Sequence, residues 1–246
     1  TVDTVRPTIA ISSDVTSLKA GETAVLTFTL SESSSDFIES DIAVSGGALS
    51  SFSGSGTTYT ATFTPTADST TNGVVSVAST KFSDAAGNTN NDGSDSNNTV
   101  TLSVDTVRPT FQSAATNTGG TKVILTYSET LSSTTAAIGT FSVTTASKDN
   151  PITDVAIAGS TAELTLTNTI KSGQTVTVAY TDPSSSDDAN AIQDSTGNDA
   201  VSLSSTSVTN NSTVAADSSD NALVLNSDNS FNVTAGDTKG LWLKFN

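Results

Sequence analysis

Hydrophobic and polar residues alternate along most of this chain with a period of two. Three runs in the first hundred residues show it most clearly, and their apolar positions are Ala24, Leu26, Phe28 and Leu30; Tyr59, Ala61 and Phe63; and Val100, Leu102 and Val104. Strict alternation over short runs is typical of an antiparallel strand with one buried face. Turn signals such as Gly46-Gly47 and Asn72-Gly73 separate the runs. About seven short strands at this spacing predict an immunoglobulin-like β-sandwich.

The same pattern continues in the second part of the chain. It predicts strands at Lys122–Tyr127, Phe141–Thr145, Ile152–Ala158, Thr161–Leu166, 175–180 and 201–208. No long segment has helical periodicity, and at most one turn of helix is expected near Glu39-Ser40-Asp41. The predicted fold class is therefore all-β, with tandem immunoglobulin-like β-sandwiches followed by a short C-terminal β segment.

One segment of seven residues, Val-Asp-Thr-Val-Arg-Pro-Thr, occurs twice, at 2–8 and 104–110. An identical segment repeated at the spacing of one small domain indicates a tandem array. Because proline fixes its own φ and disfavours helix in the residue before it, Arg-Pro should hold this segment extended as a joint between units. The predicted units are a sandwich at 1–104 and a diverged sandwich at 105–214. The remainder at 215–246 is either a truncated module or a strand-donating tail that pairs with a neighbouring repeat or identical subunit.

Composition and charge narrow the function classes. The 246 residues include no His and no Cys, which excludes histidine-dependent hydrolases, the usual zinc sites and a disulfide framework. Lys and Arg total 9 against 25 Asp and Glu, for a net charge of -16. This charge opposes binding to nucleic acid or anionic membranes and favours cations. No apolar run is long enough to span a membrane. Composition does not exclude a Ser-Lys or paired-carboxylate enzyme, but no motif supports one. We therefore expect no enzyme activity, no nucleic-acid binding and no membrane insertion.

Four motifs follow one another in the first unit: the joint at 2–8, Leu-Lys-Ala-Gly-Glu-Thr at 18–23, Thr-Phe-Thr-Leu-Ser-Glu at 27–32 and Asp-Ala-Ala-Gly-Asn at 84–88. In that order they resemble the bacterial Ig-like repeats of giant surface adhesins. The second unit has Leu-Thr-Tyr-Ser-Glu at 125–129, Ser-Gly-Gln-Thr-Val at 172–176, Tyr-Thr-Asp-Pro at 180–183 and Asp-Ser-Thr-Gly-Asn at 194–198. Residues 111–214 thereby resemble a related repeat of cyanobacterial and other bacterial cell-surface proteins, including ones tied to swimming motility. The resemblance implies an extracellular structural or adhesive role without catalysis.

Calcium is the ligand that the polar loops favour. Ca²⁺ takes six to eight oxygens, often from a turn that needs glycine. Each of the loops at 84–88 and 194–198 supplies a carboxylate, a glycine and an amide oxygen, and a sandwich should bring the end of its second strand to the same end of the unit. The candidate ligands are Glu32, Asp84 and Asn88 in the first unit and Glu129, Asp194 and Asn198 in the second. The alternative is two solvated turns, because Asp, Gly and Asn favour turns without any ion.

Each copy of the joint contains a further candidate ligand. In the adhesins that the chain resembles, calcium at domain ends stiffens the joints, which implies Asp105 as a further ligand. Asp3 is expected to serve only if a neighbouring molecule supplies a unit before it. The segment Asp187-Asp188-Ala189-Asn190 is most simply a loop, although it lies close to Asp194 in sequence.

The leading functional hypothesis is structural. The chain is expected to be a calcium-stiffened segment of a secreted or cell-surface array, either an adhesin stalk or a subunit of a surface fibre or layer. Its partners would be neighbouring repeats or identical subunits. One alternative is a module that binds a glycan or receptor on a cell surface, for which the candidate aromatics are Phe37, Phe52 and Phe82, either exposed in loops or packed in the core. The other is a set of accessory domains of a larger secreted protein.

Overall fold

The computed structural model describes residues 2–92, 95–133, 136–184 and 187–216, which form two β-sandwiches in tandem. The predicted all-β class is confirmed. The described residues contain no α-helix, only short 3-10 turns at Glu39–Asp41, Ser96–Asn98 and Ile138–Thr140. None of them forms a helix with the length and hydrophobicity needed to cross a membrane. The predicted β segment at 215–246 lies outside the described residues apart from 215 and 216.

The described residues of the first unit form seven strands: β1 (Ile9–Ser13), β2 (Ser17–Lys19), β3 (Ala24–Ser34), β4 (Ile42–Ser45), β5 (Gly47–Pro65), β6 (Gly73–Val77) and β7 (Thr99–Asp105). One sheet has the order β1-β3-β5, and the other has the order β2-β7-β6-β4. Neighbouring strands are antiparallel except β2 and β7, which are parallel. The parallel pair brings Lys19 opposite Asp105, so the turn after β2 lies at the same end of the unit as the joint.

In the described part of the second unit there are eight strands: β8 (Phe111–Thr116), β9 (Lys122–Tyr127), β10 (Phe141–Thr145), β11 (Lys148–Asp149), β12 (Ile152–Ala158), β13 (Thr161–Leu166), β14 (Val176–Tyr180) and β15 (Leu203–Ser207). One sheet has the order β12-β13-β9-β8, and the other has the order β11-β10-β14-β15. The strands within both sheets pair antiparallel. The loops before and after this unit's strands therefore collect at its two ends.

Each unit has its own hydrophobic core between its two sheets. The alternating positions of β3 explain how the first core forms, because Ala24, Leu26 and Phe28 are fully buried while Val25 on the opposite face is exposed. The side chains of a strand point to alternate faces, so one run of alternating residues buries one face and solvates the other. Tyr59, Tyr127 and Tyr180, on three other strands, are likewise buried in the cores.

Candidate functional site

The loop at 84–88 is closed by its first and last residues. The amide of Asp84 donates to the carbonyl of Asn88 over 3.1 Å, and Gly87 has a φ of +89°, which favours glycine. The Asp84 carboxylate accepts from the amides of Ala86 and Asn88 and from the Asn88 side chain, each over 2.8 Å. The side-chain bond from Asn88 is the main reason why the pKa of Asp84 lies below its ordinary value. Asp84 is therefore held as an anion in a fixed orientation.

The loop at 194–198 has the same construction with more hydrogen bonds. Oδ1 of Asp194 accepts from the amides of Thr196, Gly197 and Asn198 at 2.7 to 2.9 Å, and Oδ2 accepts from the Asn198 side chain at 2.7 Å. Burial alone would raise the pKa of Asp194, but hydrogen bonds from Asn198 and Thr196 outweigh burial and lower the pKa. Asn198 is fully buried, whereas Asn88 is only half-buried. The second loop is thus the more enclosed of the two.

Three carboxylates converge beside the first loop. Asp3, Glu32 and Asp84 each place an oxygen within 4.8 Å of the others. Burial, followed by the charges of Asp3 and Asp84, raises the pKa of Glu32. Oε1 of Glu32 is buried and accepts no hydrogen bond from the described part of the chain. A buried carboxylate oxygen without a donor beside two like charges is a place that a cation would stabilise.

The corresponding carboxylates of the second unit are also electrostatically coupled. Burial, followed by the charges of Asp194 and Asp105, raises the pKa of Glu129. Oε1 of Glu129, like that of Glu32, is buried without a hydrogen-bond donor among the described residues. Asp105 faces this group from the joint, where its carboxylate also accepts the amide of Val107 over 3.2 Å. The two units therefore place a joint Asp, a Glu after the second strand and a loop Asp near one another. Among the described residues, the oxygens of the first group lie within 4.8 Å of one another, and those of Asp105, Glu129 and Asp194 do not all meet that limit.

Each copy of the joint is hydrogen-bonded to the segment that carries Glu32 or Glu129. The amide of Thr8 donates to the Ser31 hydroxyl over 2.9 Å, and the amide of Ser31 donates to the Thr8 carbonyl over 2.9 Å. Thr110 and Ser128 make the same pair of bonds over 3.0 and 2.9 Å. Glu32 and Glu129 follow these serines directly. The joint therefore fixes the position of each Glu relative to the other two carboxylates of its unit.

The second loop also contacts the first unit. The Asn198 side chain donates to the carbonyl of Asp105 over 3.0 Å and accepts from the amide of Ala20 over 2.8 Å. The ammonium of Lys19 donates to the carbonyl of Gly197 over 3.2 Å. A Cβ added at position 197 would meet this ammonium. The backbone φ of +90° at this position also favours glycine. The Leu-Lys-Ala-Gly turn of one unit therefore seats against the Asp-x-x-Gly-Asn loop of the next.

Two ion pairs complete the contact between the units. Lys19 Nζ lies 3.2 Å from Oδ2 of Asp187, and Arg108 lies 3.4 Å from Oδ1 of the same residue. Arg108 also donates to the carbonyl of Asp199 over 2.9 Å. These cations are partly exposed, so each pair contributes modestly to stability, on the order of 1 kcal/mol or less. Their geometry nevertheless restricts how the two units can rotate about the joint.

Some site residues were missed by sequence reasoning. Asp3 joins Glu32 and Asp84 within its own unit, which corrects the expectation that a neighbouring molecule would have to complete its surroundings. The signal was present in the identity of the two joints, since Asp3 holds the position of Asp105. Lys19 and Asp187 had no such signal, because their contact depends on the angle between units.

The candidate aromatic residues for glycan binding pack inside the first unit. Phe37 and Phe82 are buried in its core, and Phe52 packs against that core. The Phe37 ring lies 5.3 Å from Phe82, 5.6 Å from Phe52 and 5.1 Å from Tyr59. These rings form an aromatic cluster that closes the sandwich, so they do not present a sugar-binding face.

Comparisons with known proteins find both units separately. Residues 3–101 match the model of the bacterial Ig-like domain, and residues 104–185 match the model of a flagellar-system-associated repeat. The two-segment resemblance predicted from the sequence is thereby confirmed. Among solved structures, the N-terminal part of the bacterial S-layer protein SbsC is 23% identical over 43% of this chain and 24% of its own length, with a TM-score of 0.35. No curated protein gives a match.

Proposed function

We propose that this chain, in which residues 3–101 match a bacterial Ig-like domain and residues 104–185 match a flagellar-system-associated repeat, is a calcium-stiffened structural segment of a bacterial surface array. The array is either the stalk of an adhesin or a fibre or layer of repeated subunits. Each unit contributes length and contacts mainly its neighbours in such an array. No catalytic role is proposed for either unit.

The observation that carries this proposal is the junction at Asn198. One fully buried side chain contacts its own loop at Asp194, the joint at Asp105 and the preceding unit at Ala20. A flexible linker between independent domains needs no buried contact of this kind. The junction instead transmits orientation from one unit to the next, which is what a stalk or fibre requires.

Calcium is proposed because, among the described residues, the carboxylates of Asp3, Glu32 and Asp84 form no ion pair with Lys or Arg. Asp3, Glu32 and Asp84 place three negative charges together, with the Glu32 Oε1 atom buried and without a donor in the described residues. Calcium binds oxygen ligands at about 2.3 to 2.6 Å, so two ligands on one ion lie at most about 5 Å apart. The 4.8 Å limit on the three oxygens satisfies that requirement. The oxygens of Asp105, Glu129 and Asp194 do not all meet this limit, and they would bind a second ion only after moving closer together.

The first unit offers the same docking atoms to a unit before it. Its Asn88 donates to the carboxylate of Asp84 and to the carbonyl of Asp3, as Asn198 does to Asp194 and Asp105. Within the described residues the side-chain oxygen of Asn88 accepts no hydrogen bond, whereas that of Asn198 accepts the Ala20 amide. We propose that a further unit, or another copy of this chain, donates to Asn88 through its own Lys-Ala-type turn.

Chelation tests the calcium part of the proposal. The chain, first stripped of metal, is melted in millimolar CaCl₂ and in EDTA. At a calcium concentration tenfold above the Kd, one site contributes about 1.4 kcal/mol. That stabilisation should raise the melting temperature of a domain of this size by about 6 to 11 °C. Small-angle scattering in the same buffers should show a narrower distribution of inter-unit distances with calcium.

Magnesium at the same concentration and ionic strength is the control for screening, because Mg²⁺ dehydrates reluctantly and needs near-octahedral geometry. The proposal predicts a large effect of calcium and a small effect of magnesium. Equal melting temperatures in calcium and EDTA, together with unchanged scattering, would contradict it.

A further inference from the structure

A second group of carboxylates lies in the second unit, apart from the repeated arrangement of joint Asp, strand-end Glu and loop Asp. Asp182 follows β14, Asp188 lies in the loop that follows, and Asp199 comes directly after Asn198. Each of these three residues places a carboxylate oxygen within 4.8 Å of the others. The first unit has Thr89 at the position that Asp199 occupies. The described residues of the first unit contain no counterpart of this group, which is therefore a feature of the second unit and not of the repeat.

Asp199 is the most buried member of the group, and only one of its two carboxylate oxygens accepts a hydrogen bond within the described residues. Asp199 is 1% exposed, and its Oδ2 accepts the amide of Asp188 over 2.9 Å. Its Oδ1 is buried and accepts no hydrogen bond from any residue that the structure describes. The same is true of Oδ1 of Asp182. Leaving two buried carboxylate oxygens without donors beside a third carboxylate is costly unless a cation or ordered water binds them.

Nearby cations do not satisfy these oxygens. The ion pairs that Lys19 and Arg108 make within the described residues both end on Asp187. Arg108 approaches Asp199 only at its backbone carbonyl, over 2.9 Å. The four carboxylates at 182, 187, 188 and 199 carry −4, and Lys19 and Arg108 carry +2, which leaves −2 for this region. A single divalent cation would neutralise it.

We propose that Asp182, Asp188 and Asp199 form a further divalent-cation site, which takes calcium as a hard oxygen-binding ion. The limit of 4.8 Å between their oxygens fits ligands of one Ca²⁺, for which opposite oxygens lie at most about 5 Å apart. Water completes the coordination on the exposed side. The ion would fix the segment that carries Asp187, and Asp187 binds both Lys19 of the first unit and Arg108 of the joint. The site would therefore stabilise the contact between the units, although its residues are not among the repeated Asp and Glu positions.

Isothermal titration of the full chain with CaCl₂ tests the proposal. Asp182→Asn should bind one calcium fewer than the unaltered chain, and Asp188→Asn should bind that calcium at least tenfold more weakly. Asp154→Asn is the matched control, because Asp154 is exposed on β12 of the same unit, and it should leave the titration unchanged. If Asp182→Asn and Asp188→Asn both bind the same number of ions with the same affinity as the unaltered chain, the proposal is overturned.

A second measurement needs no substitution. Mn²⁺ shares the preference for carboxylate oxygen and broadens NMR signals near its site. At substoichiometric Mn²⁺ the amides of Asp182, Asp188 and Asp199 should broaden beyond detection. Broadening confined to the residues around Glu32 and Glu129 would overturn this site while supporting the proposed function. Broadening that is strongest at Asp182 and Asp188, and weaker at Glu129 and Asp194, would support this site and count against calcium at the repeated positions.

Discussion

The same seven residues occur twice in this protein in two different environments. In the joint at 104–110, Val104 is 3% exposed and Thr106 is buried, while in the joint at 2–8, Val2 is 90% exposed and Thr4 is exposed. Arg108 pairs with Asp187, whereas Arg6 is exposed. Pro7 and Pro109, by contrast, are both buried. Identical sequence therefore leads to different packing in the first part of the joint and to the same packing in its last part.

The difference shows which unit holds each part of the joint. Proline and the following threonine belong to the unit that comes after, where Thr8 and Thr110 bond to Ser31 and Ser128. The first residues of the joint belong to the unit that precedes them, because Val104 lies in β7 and Thr106 bonds to residues of the first unit. Between these two parts, Asp105 and Arg108 contact the second unit at Asn198 and Asp187. A joint shared in this way couples two units more tightly than a linker that neither unit holds.

The largest expected difference between the two units concerns the loop asparagines. Asn198→Ala should lower the free energy of unfolding by about 3 kcal/mol, because it leaves buried partners at Asp194, Asp105 and Ala20 without a hydrogen bond. Asn88→Ala should cost only about 1 kcal/mol, because Asn88 is half-buried and has no partner from a preceding unit within the described residues. Urea unfolding followed by circular dichroism would measure both. Equal losses of unfolding free energy in Asn198→Ala and Asn88→Ala would contradict this prediction.

The joint threonines give the closest matched pair. The Thr106 hydroxyl donates to the Thr66 carbonyl over 2.8 Å and accepts the Ser69 amide over 2.9 Å. Thr106→Ala should therefore lower the free energy of unfolding by about 1.5 kcal/mol. Thr4→Ala changes the same heptapeptide at an exposed position, and should change stability by less than about 0.5 kcal/mol. A substantial loss in Thr4→Ala would show that the first joint is packed in a way that its exposure does not indicate.

The smallest thermodynamic difference should come from the joint arginines. Arg108→Ala should cost about 1 kcal/mol or less, because its ion pair with Asp187 is partly exposed. Its main effect should be structural, a broader distribution of inter-unit distances in small-angle scattering. Arg6→Ala should alter neither quantity. Unchanged scattering in Arg108→Ala would show that the ion pairs do not restrict the units.

The sequence predicted the fold better than it predicted the contacts between units. Alternation located strands such as Lys122–Tyr127 and Thr161–Leu166 at their observed bounds. The turn signals at Gly46-Gly47 and Asn72-Gly73 do separate strands, although Gly47 and Gly73 are themselves the first residues of β5 and β6. An added Cβ at either glycine would lie 2.5 Å from the Phe63 ring, so these glycines make room for that ring. Tertiary packing of this kind leaves no local pattern.

The contacts of the candidate site also fall into two kinds, those that the sequence predicted and those that it did not. Sandwich topology is enough to bring the end of β3 near the 84–88 loop, so the closeness of Glu32 and Asp84 follows from sequence. The pairing of Lys19 with Asp187 depends on the angle between two units, which no periodicity specifies. The group at Asp182, Asp188 and Asp199 was hidden for a related reason, because a loop specific to the second unit brings its members together.

The most direct test of calcium at the unit ends is the melting temperature of the unaltered chain and of Glu129→Gln, each in calcium and in EDTA. Without a cation, the Glu129 charge faces Asp194 and Asp105, and burial and these charges raise its pKa. Stability from such a group is greatest at low pH, below its unfolded pKa, and is lost as the pH rises through the raised folded pKa. At pH 7 in EDTA, Glu129→Gln should therefore melt at or above the temperature of the unaltered chain.

In calcium the order should reverse, because the Glu129→Gln substitution removes an anionic ligand from the ion, and the variant should lose at least half of the calcium-induced rise. Asp154→Asn, exposed on β12, should keep the full rise. If calcium does not raise the melting temperature of the unaltered chain, or if Glu129→Gln keeps the whole rise, calcium does not act at this joint.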